Sequence, residues 1–545
     1  MDYGRSATEL YAPIPVDLAQ TRLLRLHLGP AASPLLADLV VVDIDSEGTW
    51  LHKERRQITY TALSYTWGIG PFSHDITING VPWRIKEGLY DFLQQYRLDQ
   101  LSVKEIYLWI DALVINQADA DEKSRQVSNM IEFYKNALHV QVWLGKSTQY
   151  TEEAIHFLHA LLMDTERKNE SITDEALEGL RDLYTRPWPT RVWIRQEVWA
   201  ANSISIQCGS FTLPLDVFKT GVIPSREAGD TLGGSEGTWE SGEGIYDSPM
   251  TLMWLHSKLK IPESQLAAIS FLVQKVMSEQ FPEDRAQSGL GHKTMDDDGR
   301  RDIMWLLYES VNYASTDIRD RIYALVGMCD DPDIEIDYNK TPSEVFTSFT
   351  KHIMLRAGTL DHVLDLSCKY GRASDLSLPS WVPDWRELYM VRYGAVDSTT
   401  KFDLGACFDS SRPHILIVRG FQLGRAEANK RQKGKAQKHV HVDWNRIRNK
   451  LKNANGLPDF LADASKDQTI LAESMFSRAA MKPGDVLVAP RGSDVLLLVL
   501  RPRSGGETDT YEFVNCVFKR DNGLLRKTLL EYGEEKGLLE TFDVT

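Results

Sequence analysis

Three short stretches carry residue types that could do chemistry together. In "RVWIRQE" (Arg191–Glu197), Trp193 and Glu197 are four apart and share one side of a helix. Glu197 runs into the apolar "VWAA", which predicts a partly buried carboxylate. A buried glutamate belongs either to a salt bridge, with Arg191 and Arg195 as the nearby cations, or to a functional site. In "YLWIDALVINQ" (Tyr107–Gln117), Asp111 ends an apolar strand, and Asn116 and Gln117 occupy the loop that follows. A carboxylate so placed needs a partner, either as an internal anchor for the loop or as a ligand-binding group. In "ALSYTWG" (Ala62–Gly68), Ser64, Tyr65 and Trp67 put a hydroxyl, a phenol and an indole at the end of a strand. Rings there either stack on a nucleobase or pyridine or join the core, and Gly68 permits a tight turn.

Such residues need a frame that brings strand ends and helix starts together. From Tyr60 to Gly209, "YTALSYTWG", "EIYLWID", "HVQVWLG" and "SISIQCG" read as strands. Between them "KEGLYDFLQQY", "EKSRQVSNMIEFYKNA" and "TEEAIHFLHALLMDTERK" have helical spacing. This alternation predicts an α/β fold with a mostly parallel sheet flanked by helices, whose ligands bind beyond the carboxyl ends of the strands. Asp119 and Glu122 have capping-box spacing. The helix they start is expected to bury Val127, Met130, Ile131 and Tyr134 and to turn Glu122, Gln126 and Asn129 to a polar side. Pro187 and Pro189 stop a helix, and Thr190 is the expected N-cap of the next.

The stretches 226–247 and 283–301 are polar and glycine-bearing and read as loops or boundaries. "SQLAAISFLVQKVMSEQF", "IMWLLYESVNY" and "SEVFTSFTKHIMLRAG" predict a largely helical region, followed by "LPSWVPDW" as a rigid packing segment. After Lys401, "HILIVRGFQLG", "GDVLVAP", "DVLLLVLRP" and "YEFVNCVF" predict a small C-terminal antiparallel β unit. The basic run "RAEANKRQKGKAQKHVH" inside it reads as a solvated loop. The expected organisation is an N-terminal extension over 1–59 packing on the core, an α/β domain over 60–225, a mainly helical region over 248–400 and a β-rich unit over 401–545.

Composition narrows the function classes. A net charge of −15 argues against a general nucleic-acid or anionic-membrane binder. Five widely spaced cysteines without a C-x-x-C argue against a disulfide framework or zinc knuckle. His439 and His441 alternate on one strand face but lack a third ligand, so no metal is expected. With no signal-peptide pattern and no apolar run long enough to span a bilayer, a soluble cytoplasmic protein is expected. Phosphate-binding loops and zinc-protease motifs do not occur.

The three stretches, in the order "YTALSYTWG", "LWIDALVINQADADEKSRQVSNMIEFYKNALHVQVWLG" and "RPWPTRVWIRQEVWAA", resemble the fungal heterokaryon incompatibility (HET) domain over Tyr60–Gly209. "STDIRDRIYALVGM", "IEIDYNKTPSEVF" and "LPSWVPDW" look like the region that follows this domain in fungal proteins. Val114 departs from the family, which usually has cysteine there, and so excludes thiol chemistry at that position.

The resemblance implies a role in the cell death triggered when unlike hyphae fuse. HET domains are distantly similar to Toll/interleukin-receptor (TIR) domains, which implies a flavodoxin-like sheet. Many TIR domains hydrolyse NAD through a glutamate in W-x-x-x-E, a spacing that Trp193 and Glu197 share. Here a long helical insertion separates that motif from the preceding strand. Nicotinamide leaves as a neutral base, so one carboxylate that stabilises an oxocarbenium-like transition state suffices, and neither a metal nor a cofactor is needed. On this reading Glu197 is catalytic. Ser64, Tyr65, Trp67, Asp111, Asn116, Gln117, Arg191 and Trp193 bind NAD or a related nucleotide, and activation requires self-association. The alternatives are a non-enzymatic signalling or self-assembly module that works with an incompatibility partner protein, and an enzyme acting on another nucleotide.

Overall fold

The computed structural model describes most of residues 4–163 and 173–214, residues 260–262, 265, 303–329 and 333–360, parts of 363–386, residues 407, 408 and 410–425, and parts of 482–545. Two compact units result, Met1–Asn339 and Lys340–Thr545. The expected loops at 226–247 and 283–301, nearly all of the helix from Ser264 to Phe281, and nearly all of the basic run lie outside the described residues.

The N-terminal unit is built on one ten-stranded mixed sheet. Its centre is parallel: β4 (Thr61–Tyr65) pairs with β7 (Ile106–Trp109) on one side and β8 (His139–Trp143) on the other, and β8 pairs with β9 (Ile204–Cys208). These are the four strands read from the apolar runs between Tyr60 and Gly209. Leu63, Ser64 and Tyr65 sit opposite Gln141, Val142 and Trp143. The chain passes from β4 to β7 and then crosses β4 to reach β8, so the strand order reverses at β4.

The rest of the sheet is mainly antiparallel. β1 (Gln20–Leu26) lies between β7 and β2 (Leu36–Ile44), and β3 (Trp50–His52) pairs with β2. β5 (Phe72–Ile78) runs parallel to β2 and forms a hairpin with β6 (Val81–Lys86). Asn79 and Gly80, both at positive φ (53° and 78°), make the two-residue turn, whose backbone twist suits such a hairpin. β10 (Phe211–Pro214) closes the other edge. The N-terminal residues therefore add strands to the same sheet.

The helices are α1 (Gly4–Tyr11), α2 (Glu87–Asp99), α3 (Asp111–Val114), α4 (Ala120–Ser128), α5 (Met130–Lys135), α6 (Thr151–Met163), α7 (Asp174–Thr185), α8 (Ile194–Ala200), α9 (Ile303–Glu309) and α10 (Asp320–Val326). The single helix expected over 122–137 is broken at Asn129 into α4 and α5. The polar side of α4 also corrects a reading: Glu122 and Gln126 are buried, not turned to solvent. Gln126 Oε1 accepts from the Thr21 hydroxyl at 2.7 Å, and Glu122 holds Arg22. Strand β1 supplies these polar partners, and a buried polar group is tolerated only when it has one.

In the C-terminal unit, α11 (Pro342–Ala357) opens on a full capping box. Glu344 N donates to Thr341 Oγ1 at 3.3 Å, and Thr341 N donates to the Glu344 carboxylate at 2.8 Å. Thr341→Ala removes this cap and will cost about 1 kcal/mol, read as a shift in the urea midpoint of the C-terminal unit's transition. Trp381 and Trp385 are fully buried, and Trp385 Nε1 donates to Thr350 Oγ1 at 3.0 Å. β11 (Leu416–Arg425), β12 (Val486–Pro490), β13 (Leu496–Pro502), β14 (Thr510–Phe518) and β15 (Glu540–Val544) close a small barrel. Its pairs are antiparallel except β14 with β15.

Candidate functional site

The three stretches meet at the carboxyl ends of β4 and β7. Ser64 is fully buried on β4, and its hydroxyl donates to Glu197 Oε2 on α8. The Trp188 indole donates to Ser64 Oγ at 2.7 Å, so Ser64 relays a hydrogen bond from one side chain to the other. Arg191 sits in the turn before α8. Its Nη1 donates to the Tyr65 carbonyl and lies 3.5 Å from Glu197 Oε1. Of the two cations considered for Glu197, Arg191 is the partner, while Arg195 points to Glu309 at 2.8 Å.

Glu197 is 1% exposed. Burial pushes its carboxyl up to about 7, against the pull of Arg191 and the Ser64 hydroxyl and with a small push from Asp111. Its Oε1 has no hydrogen-bond partner among the described residues, only the guanidinium at ion-pair distance. Burial works against the charge on Arg191, but the carboxylates of Glu197 and Asp111 outweigh it and hold the guanidinium above its ordinary value.

Asp111 is the first residue of the short helix α3. Its carboxylate accepts from Ala112 N at 2.7 Å and from the Trp67 indole at 3.1 and 3.2 Å. Burial raises its carboxyl, with Arg191 pulling it back. Gln117 Nε2 donates to the Asp111 carbonyl at 3.1 Å. Asn116 folds back on its own loop: its Oδ1 accepts from Ala118 N at 3.2 Å, and its N–H donates to Glu122 at 2.7 Å. Asp119 caps α4 as expected, accepting from Glu122 N at 2.9 Å. The Glu122 carboxylate, however, grips Arg22 instead of completing a capping box. These contacts favour the loop-anchor reading of Asp111, Asn116 and Gln117.

Two local readings are corrected. Thr190 does not start α8: it ends a 3-10 turn (Trp188–Thr190), and the helix begins after Trp193. Prolines flanking Trp188 favour that turn and delay the helix. Trp193 and Glu197 are one turn apart, yet the Trp193 indole binds Asp320 and takes no part in the Glu197 contacts.

A cleft opens beside this cluster, lined by Tyr65, Trp67, Phe72, Trp83, Lys86, Leu89 and neighbours, with about 320 Å³ of empty space including its mouth. Glu197 is not among its lining residues. Gly68 turns the chain at its edge with φ +70°, and its carbonyl accepts from Lys86 Nζ. The cleft therefore offers aromatic walls and a cation, separate from the carboxylate of Glu197. No group of three or more His, Cys, Asp or Glu among the described residues could hold a metal ion. No helix among them is long and apolar enough to cross a membrane.

Residues 60–197 match the family model described as "Heterokaryon incompatibility protein (HET)". The chain carries a HET domain. It is also 24% identical over 440 residues to "Heterokaryon incompatibility protein 6, OR allele" of Neurospora crassa. That alignment covers 67% of this chain and 59% of the relative. No solved structure matches. The matched span ends at Glu197, so the HET signature brackets the strand that carries Ser64 and the helix that carries its acceptor. Trp188, Arg22 and Asp320 hold the HET domain's motifs in place but were not chosen from sequence. Trp188 lay within the quoted "RPWPTRVW", whereas Arg22 and Asp320 had no local signal linking them to the site.

Proposed function

We propose that this protein acts in fungal heterokaryon incompatibility as a signalling module. In this reading Ser64, Arg191 and Glu197 are an internal fastener that sets the arrangement of the three HET motifs. The observation that carries it is the enclosure of Glu197: it is 1% exposed, bonded to Ser64, opposed by Arg191 and outside the lining of the neighbouring cleft. A carboxylate with these partners organises loops, and no substrate reaches it in this arrangement. The incompatibility role is supported by the name of the Neurospora crassa relative. Execution of death then falls to a partner protein or to an assembly of copies, in the cytoplasm.

One observation favours a second reading, NAD hydrolysis to nicotinamide and ADP-ribose products by a TIR-like centre. Glu197 combines a carboxyl raised to about 7 with an oxygen that has no hydrogen-bond partner among the described residues, next to the strand where the order reverses. On that reading Tyr65 and Trp67 receive the rings of NAD or a related nucleotide from the cleft, and Arg191 must release Glu197 before the carboxylate can face the ribose.

The test is incubation of the purified full chain with NAD and a panel of nucleotides, followed by chromatography for free nicotinamide and other products. The signalling reading predicts no turnover above buffer by either the wild type or Glu197→Gln. Turnover by the wild type that Glu197→Gln lacks replaces it with the enzymatic reading.

A further inference from the structure

Asp320 lies outside the matched stretch, yet its carboxylate is engaged by Trp193, the residue just before the helix that carries Glu197. Asp320 is 9% exposed and opens α10. Its Oδ2 accepts from the Trp193 indole at 3.0 Å, and its Oδ1 accepts from the Tyr338 hydroxyl at 2.7 Å. The backbone closes the same grip: Ala314 N donates to the Thr190 carbonyl at 2.5 Å, and Val192 N donates to the Ala314 carbonyl at 3.0 Å. One turn further on, Gln196 Nε2 donates to the Ala324 carbonyl at 2.8 Å. The stretch from Arg191 to Glu197 thus has two allegiances. Val192, Trp193, Arg195 and Gln196 bind residues of the 303–329 stretch, whereas Arg191 and Glu197 turn to the Ser64 cluster.

Helix α8 is seven residues long, and no side chain caps its N-terminus. A helix that short is not stable by itself, so its place is set by tertiary contacts. The Trp193–Asp320 bond is charge-assisted and part-buried, and losing the acceptor leaves the indole N–H without this partner.

We propose that Asp320 is a positioning residue: by holding the Trp193 indole it fixes the start of α8 and, one turn later, how Glu197 meets Ser64 and Arg191. The 303–329 stretch is then a strap on the cluster, and any event that loosens the strap loosens the fastener. This consequence rests on the cluster being the working part of the HET domain, as proposed above.

Hydrogen exchange on the full chain tests it, with Asp320→Ala, Trp193→Phe and Asp320→Asn compared with the wild type. Asp320→Ala and Trp193→Phe are expected to speed exchange of the α8 amides by about tenfold or more while β4 and β7 keep their rates. Asp320→Asn, which still offers an oxygen to the indole and an N–H to the Tyr338 oxygen, is expected to stay close to the wild type. Unchanged α8 protection in both Asp320→Ala and Trp193→Phe overturns the proposal. So does a uniform acceleration across the unit that Asp320→Asn shares. Exchange reads the strap alone, whereas nicotinamide release reads the function of the cluster, so the two ideas fail separately.

Discussion

Arg22→Ala will destabilise the N-terminal unit by about 3–5 kcal/mol, the range for removing one partner of a buried ion pair. The Arg22 side chain is fully buried on β1, and that of Glu122 is 7% exposed on α4. The guanidinium makes two bonds to the carboxylate, at 2.6 and 2.9 Å, and a third to the Val114 carbonyl at 2.9 Å. Without it, the Glu122 carboxylate keeps the bond from Asn116 N and remains in a site closed to water. A fork that satisfies both oxygens cannot be replaced by a lysine, so Arg22→Lys recovers only part of the loss. Urea denaturation checks this, and a loss below about 1 kcal/mol for Arg22→Ala means that the pair does not hold the loop.

The second large effect is on pH dependence. The Glu197 carboxyl titrates near 4.5 when unperturbed and near 7 in the folded chain, because burial favours its neutral form. The fold therefore binds this proton more tightly than the unfolded chain does. The associated stability is fully present below about pH 4.5 and is lost as the pH rises through about 7. At about 1.4 kcal/mol per pH unit, the wild type loses on the order of 3 kcal/mol from this group between pH 4.5 and 8. Glu197→Gln cannot titrate there, so its stability will fall less steeply over the same range. Asp320, raised to about 6 by burial, contributes in the same direction in both proteins and cancels in the comparison. Parallel stability curves for wild type and Glu197→Gln rule out the shift.

How far the sequence could be read depended on whether a signal was local. Short apolar runs bounded by Gly or Asp located β4, β7, β8 and β9, and the helical spacing of 342–357 located α11. The β5–β6 hairpin carries a local signal, Asn79-Gly80, that is short beside the apolar runs flanking it. Ser64, Arg191 and Glu197 were chosen from residue types and do converge, because the ends of neighbouring strands and the start of α8 meet there. Their partners were not legible. Arg191 and Arg195 were equal candidates for Glu197 until Glu309, more than a hundred residues away, took Arg195. The polar side of α4 looked solvent-facing because its partners, Thr21 and Arg22, come from a strand read as an extension. Asp320 belongs to Trp193 only through a tertiary contact across 127 positions. Local periodicity reports elements; it does not report which buried polar groups satisfy each other.

Glu197 is shut away between Ser64 and Arg191 in the native chain. Carbodiimide coupling of the folded protein near pH 6, mapped residue by residue by mass spectrometry, addresses it most directly. Exposed carboxylates such as Asp75 and Glu178 will be modified while Glu197 stays unlabelled until denaturant is added. Labelling of Glu197 in the native protein as fast as at those surface positions contradicts the claim and reopens the carboxylate as a substrate-facing group.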